Sequence, residues 1–204
     1  TLAATPDNRK RFAVLLTGDG GWTGLDQEVA GALAARGIPV VAMSSLKYFW
    51  HARTPGDTAR DLDRIVRAYG ERWQRSEVLL IGYSFGADVL PFIYNRLTLE
   101  TRGRVQSISL LGLSATASFE FHLSDWIPGS DGDGLHTVPE IAAMGSSARA
   151  LCLYGADEKD SACPAAGGGS CSSPHPISST RAGTSSTWPS WSARPRSPTS
   201  GRSA

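Results

Sequence analysis

The sequence predicts an α/β fold, a mostly parallel sheet with helices on both faces. Three observations predict it. Short apolar runs alternate with amphipathic stretches along residues 12–154. The runs are apolar on both faces, as strands covered on two sides must be. The chain has 204 residues, enough for one sizeable core, so one domain is the default.

The elements follow in order. FAVLL, residues 12–16, is a strand that runs into the glycine-rich loop TGDGGW. LDQEVAGALAARG places Leu25, Val29 and Leu33 on one face of a helix that Gly37 stops. IPVVAM is a second buried strand. The next helix opens with Thr54 as N-cap, Pro55 at the first position and Asp57 three residues after the cap. Leu62, Ile65, Val66 and Tyr69 supply its apolar stripe. EVLLIG is a third strand and GADVLPFIYNRL the helix after it, with Pro91 expected one turn from its start. VQSISLLGL and ALCLYG are the fourth and fifth strands. Between them, FEFHL reads as a short strand and IPGSDGDGLHTVPE as a lid or binding loop.

Composition narrows the function classes. A net charge of +1 gives no field that draws the chain to nucleic acid. No apolar run approaches the ~20 residues a bilayer span needs, so no transmembrane helix is expected. TLAATPDNRKRF lacks the apolar core of a signal peptide. Residues 1–9 read instead as a linker or the trimmed end of a longer chain. The three cysteines are Cys152, Cys163 and Cys171, too few for a disulfide scaffold or a metal cluster. Cys152 and Cys163 flank one loop and either pair in an oxidising compartment or stay as thiols. No metal and no cofactor are expected.

The character changes at residue 167. Residues 167–204 contain 12 serines and no Asp, Glu, Lys, Leu or Val. Such a segment cannot bury enough apolar surface to fold alone and reads as a disordered tail. The domain organisation expected is a linker at 1–9, a folded unit at 10–166 and this tail.

GYSFG, residues 82–86, matches G-x-S-x-G. The pattern recurs by chance, but here it follows a strand and opens a helix, as a nucleophile elbow requires. Gly82 and Gly86 let neighbouring backbone approach, and Ser84 projects at the C-terminal edge of the sheet beside a helix N-terminus. The bland alternative is a helix-capping serine in a glycine turn. An oxyanion hole needs two N–H groups. Phe85, after the nucleophile, is expected to give one, and Asp19 in the TGDGGW loop the other.

The triad acid is expected after a later strand. LCLYGADEKDSACP offers Asp157, Glu158 and Asp160, with Asp160 the first choice and Asp157 the alternative. A solvated acidic loop would look the same. The base is where the pattern fails. His51, His122 and His136 precede the acid, and His175 lies in the serine-rich tail. None is placed by the sequence to reach Ser84.

Five segments now carry a resemblance: LLTGDGGW, SLKYFWHARTPGDTARDL, VLLIGYSFGADVLPFIYNRL, SLLGLSATASFEFHLSDW and LYGADEKDSACP. Together, over about residues 10–165, they resemble the VirJ/AcvB bacterial virulence-protein family. The resemblance implies an α/β-hydrolase type fold and export to the periplasm. It implies a nucleophile at Ser84 and an acid at Asp160. AcvB-type members resemble serine hydrolases that release lysine from lysyl-phosphatidylglycerol. VirJ-type members are linked to type IV secretion and virulence. The family continues with a strand, a loop carrying the catalytic histidine, and a final helix, and this chain departs there.

The departure suggests a frameshift near residues 165–170. One codon choice for PISST, residues 176–180, encodes His-Phe-Val-Asp in a shifted frame. The first functional expectation is therefore a serine ester hydrolase acting on a phospholipid or small ester at a membrane surface. Lys47, His51 and Arg53 are candidates to meet phosphate, and Trp22, Tyr48, Phe49 and Trp50 to meet apolar groups. Ordinary packing explains each of these equally well. The second expectation is a non-catalytic periplasmic accessory protein with a secretion-system partner. The third is an inactive product of a frameshifted gene.

Overall fold

The computed structural model describes residues 9–22, 24–121, 134–145, 149–155, 158, 160–166 and 172–173. Six strands form one parallel sheet in the order β2-β1-β3-β4-β7-β8. They are β1 (Arg11–Leu16), β2 (Val40–Met43), β3 (Glu77–Tyr83), β4 (Val105–Leu111), β7 (Ala150–Gly155) and β8 (Ser172–Ser173). The antiparallel pair β5 (Thr116–Ala117) and β6 (Leu135–His136) stands apart. The helices are α1 (Gly24–Ala34), α2 (Ser45–Tyr48), α3 (Pro55–Trp73), α4 (Phe85–Asn95), α5 (Leu99–Arg104) and α6 (Thr137–Ala143).

The period-2 alternation of β1 divides the core. Phe12, Val14 and Leu16 join the larger cluster with Leu62 and Val66 of α3 and Val89, Leu90 and Ile93 of α4. Ala13 and Leu15 point the other way and meet Val29 and Leu33 of α1. The sheet is therefore covered on both faces. α3 begins as its sequence dictates: the Thr54 hydroxyl accepts the Asp57 N–H at 3.0 Å. Its C-cap Gln74 adopts a left-handed conformation, φ 53°, ψ 47°.

The cover is uneven. Among the described helices only α1 contributes to the smaller cluster, which runs from β2 across β1 and β3 to Leu111 of β4. Farther along that face Leu151 of β7 is 40% exposed. A parallel strand is ordinarily buried on both faces.

Three local expectations are corrected. FEFHL is not a strand over its described residues, 119–121; the pairing comes just before it, where Thr116 and Ala117 meet His136 and Leu135. The end of the expected binding loop is ordered as β6 and α6, because Thr137 is fully buried and its hydroxyl donates to the carbonyls of Ser114 and Ala115. The earlier part of that loop lies outside the described residues. Pro91 is not one turn from the start of α4 but its seventh residue, so the helix lacks the N–H that would bond Ala87. Its ring is buried in the core.

The topology also fixes where a site can form. The chain leaves β1 for β2 on one side, then returns to β3 on the other. The loops after β1 and β3 thus open side by side at the C-terminal ends of the strands. That switch point is where open α/β sheets place their ligand crevice.

Candidate active site

Ser84 occupies the turn between β3 and α4 with φ 49° and ψ −120°. A non-glycine residue at positive φ is strained, by about 1–3 kcal/mol. The surroundings enforce it. The Ser84 N–H donates to the Leu111 carbonyl at 2.8 Å, and the Ser84 carbonyl accepts the N–H of Ala87 at 2.7 Å. Gly82 and Gly86 face each other across the turn. A Cβ on Gly82 would collide with the Gly86 carbonyl and lie 2.7 Å from Ala87 Cα. A Cβ on Gly86 would collide with the Leu16 carbonyl and lie 2.8 Å from Thr17 O. Both glycines are therefore required by contact. No described side chain hydrogen-bonds the Ser84 hydroxyl, which does not cap its own helix.

The loop after β1 lies against this turn. A Cβ on Gly18 would sit 3.4 Å from Ser84 Cβ and 3.3 Å from the Tyr83 ring. The loop closes tightly: the Gly21 N–H donates to Gly18 O at 3.2 Å, and the Gly20 N–H to Asp19 Oδ1 at 2.9 Å. Its base is pinned by Thr17 and Ser45. The Ser45 N–H donates to Thr17 Oγ1 at 3.1 Å, and the Ser45 hydroxyl donates to Thr17 O at 2.5 Å. Both residues are buried. Asp19 is thus at the tip of a braced turn next to Ser84. Phe85 is the first residue of α4, where an N–H has no acceptor within the helix. Phe85 follows Ser84 directly, and the loop that carries Asp19 meets Ser84 through Gly18.

The acidic loop after β7 reaches the same edge. The Leu113 carbonyl accepts the Ala162 N–H at 2.9 Å and the Ser161 hydroxyl at 3.4 Å. Asp160, next in the chain to Ser161, is exposed. Glu158 is committed to the loop itself: its Oε2 accepts the Gly155 N–H at 2.8 Å. Asp157 lies outside the described residues. Cys152 and Cys163 form a disulfide, with Cα atoms 5.5 Å apart, that ties the far end of this loop to β7. Burial first, then the negative charges of Asp26, Asp19 and Glu158, push the Tyr83 phenol up. The loops after β1 and β7 thus both bring negative charge near Tyr83, the residue before Ser84.

The aromatic loop forms one wall. Phe49 is fully buried, with its ring centroid 5.2 Å from Phe85 and 5.7 Å from Phe119. Two backbone bonds zip it to the neighbouring loop, Phe121 N–H to Phe49 O at 2.8 Å and Arg53 N–H to Phe119 O at 2.9 Å. Trp50 stacks on Phe121 at 6.0 Å yet is 53% exposed, and Trp22 is 46% exposed. The Tyr48 hydroxyl donates to Asp61 Oδ2 at 2.6 Å, and Arg53 lies 4.9 Å over the Tyr48 ring. Burial and the Asp61 bond push this phenol up to about 12. Ser44 caps the short helix α2, its hydroxyl accepting the Lys47 N–H at 3.4 Å. His51 is exposed.

The histidines remain the weak point. His136 is exposed and sits opposite Thr116 in the small sheet. His122 and His175 lie outside the described residues. Among the described residues no histidine hydrogen-bonds Ser84 or Asp160. Nor do three His, Cys, Asp or Glu side chains gather as metal ligands would.

Residues not singled out from sequence complete the site. Asp88, one turn into α4, accepts the Ser114 N–H at 2.7 Å. Burial pushes its carboxyl up to about 7, and Asp19 adds to the rise, while Ser114 opposes it. Thr17 and Ser45 are the other omissions. Only a signal 28 residues apart in sequence could have paired them. A shallow concavity of about 390 Å³ lies at the opposite end of the strands, between Trp73, Arg75 and Pro39, and holds none of these residues.

The family described as "Bacterial virulence protein (VirJ)" matches residues 10–172. The chain belongs to the VirJ family. No curated protein matches it. Among solved structures it is similar to a carboxylesterase of the ammonia-oxidizing thaumarchaeon Nitrososphaera gargenis, at 17% identity and TM-score 0.48, covering 76% of each chain. It is similar to the NocB thioesterase domain, solved as a covalent complex with a fluorophosphonate nocardicin G analog, at 19% identity and TM-score 0.47, covering 80% of each chain. Naproxen esterase from Bacillus subtilis is similar at 14% identity and TM-score 0.45, over 75% of this chain and 68% of that one. The VirJ-family chain has an α/β fold with a parallel sheet, in which β3, the turn at Ser84 and α4 are central.

Proposed function

We propose that this VirJ-family fold is built for serine ester hydrolysis. The observation that carries the reading is the strained backbone of Ser84, φ 49° and ψ −120°, at the strand-to-helix turn. Strain of this kind persists only where the surroundings impose it, and it clusters at reacting groups. In the reaction, Ser84 Oγ bonds to the acyl carbon as its proton passes to a histidine. The N–H groups of Phe85 and Asp19 hold the developing oxyanion. The acyl C–O bond breaks, and the alcohol leaves with that proton. Water then cleaves the acyl–Ser84 ester. Asp160 orients the histidine.

The substrate proposed is an aminoacyl ester on a phospholipid headgroup, of the lysyl-phosphatidylglycerol kind. Arg53 and His51 meet phosphate, and the exposed Trp22 and Trp50 meet the membrane interface, while Tyr48 holds Arg53 in place. The Cys152–Cys163 disulfide supports an oxidising compartment such as the periplasm. A link to virulence and type IV secretion belongs to the same proposal.

The histidine and its helix are proposed to be encoded in the other reading frame beyond residues 165–170. The exposed Leu151, on a sheet face that lacks a described covering helix there, supports this. Restoring the frame and assaying release of lysine from lysyl-phosphatidylglycerol vesicles tests the proposal. Release that requires Ser84 is expected; a folded, frame-restored protein inert on these vesicles and on simple esters would refute it. A second reading, a non-catalytic accessory protein, is favoured by one observation: no described histidine reaches Ser84.

A further inference from the structure

We propose that Asp88 is a positioning residue that holds the acid loop at the nucleophile's edge of the sheet; this role rests on the hydrolase reading above. Three bonded steps make the bridge. Asp88 sits in the first turn of α4, four residues after Ser84, so its backbone moves with the elbow. Its Oδ1 accepts the Ser114 N–H at 2.7 Å. The adjacent carbonyl, that of Leu113, accepts the Ala162 N–H at 2.9 Å and the Ser161 hydroxyl at 3.4 Å. Ser161 follows Asp160 directly. The strand end at 113–114 is thus gripped from α4 on one side and grips the acid loop on the other.

The remaining contacts of this strand end explain why a side-chain acceptor is needed. Gly112 leaves β4 with φ 65°, so the chain turns away from the regular ladder there. Its N–H still reaches Leu153 O at 2.8 Å, but Ser114 N–H finds its acceptor on a side chain. Thr137 fixes the carbonyls of Ser114 and Ala115 from the far side, through its hydroxyl and its own N–H. Asp88 couples this turn to the nucleophile's helix through Ser114, beside the Ser84 N–H that donates to Leu111 O at 2.8 Å. Leaving the Ser114 N–H without an acceptor would favour an open turn that water can enter.

The test is amide hydrogen exchange on the full chain, comparing wild type with Asp88→Ala, Asp88→Ser and Asp88→Asn. The asparagine keeps an acceptor oxygen at the same reach; alanine and serine do not. Asp88→Ala is expected to speed exchange about tenfold or more in peptides covering residues 112–118 and 160–166, with residues 77–83 unchanged. Asp88→Asn is expected to restore most of the protection. If Asp88→Ala does not fold, Asp88→Ser carries the same expectation. Unchanged exchange at 160–166 in a folded alanine or serine variant overturns the proposal. So does an asparagine variant as unprotected as alanine. Exchange does not depend on ester turnover, so failure of the hydrolase reading and failure of the bridge give different results.

Discussion

Cys152 and Cys163 are joined by a disulfide that closes the acid loop onto β7. Cys152 belongs to the central parallel sheet, and Cys163 follows Asp160 by three residues. Both are buried in the larger core cluster. The bond therefore fixes the far end of the loop to the sheet, while the Leu113 carbonyl holds its middle.

The first prediction follows from that bond. Closing a loop of this length restricts the unfolded chain by about 3 kcal/mol. Cys152→Ser with Cys163→Ser is expected to lower the unfolding free energy by about that amount, and reductant is expected to lower the Tm of the wild type alone. Thermal melts with and without dithiothreitol check it. A wild-type Tm indifferent to reductant would argue against a structural disulfide.

Ser84 is predicted to be a residue kept at a cost in stability. Glycine adopts positive φ freely, whereas serine and alanine do not. Ser84→Gly is therefore expected to be more stable than Ser84→Ala by about 1 kcal/mol, the strain outweighing the added freedom of the unfolded chain. Urea titrations of the two variants measure this. A glycine variant less stable than alanine would mean that the turn stores no strain.

Asp88 is expected to make stability pH-dependent. Folding raises its carboxyl from 3.8 to about 7, chiefly by burial and then by the facing charge of Asp19. The folded state thus holds the proton more tightly than the unfolded chain. This group's contribution is fully favourable below about pH 4 and is lost as pH rises towards 7, after which it is level. Against Asp88→Asn, the wild type should lose stability between those limits. Denaturation at pH 5, 6 and 7 tests the slope; parallel curves would contradict it.

Much of the fold was legible because its signals are local. The strand runs at FAVLL, EVLLIG and ALCLYG and the Thr54 cap each declare themselves within a few residues. The G-x-S-x-G turn was legible too, since Gly82 and Gly86 answer contacts that the strand–turn–helix context demands. What escaped were contacts between distant segments. Asp88 reads only as an acid in a helix's first turn, and nothing near it names Ser114. Thr17 and Ser45 look like loop residues until their bonds close. The small sheet of β5 and β6 was hidden because two-residue strands show no alternation. Pro91 escapes because its ring is accommodated in the buried middle of α4 rather than in the first turn, and no local signal shows that.

We propose that Ser84 is a nucleophile, with the Phe85 and Asp19 N–H groups as its oxyanion donors. A fluorophosphonate probe tests it most directly, with the adduct located by peptide mass. Even without a base in reach, an oxyanion hole sustains a residual rate, so slow labelling is predicted on the peptide containing Ser84, and none in Ser84→Ala. A folded wild-type protein that takes up no probe at Ser84 would contradict the account.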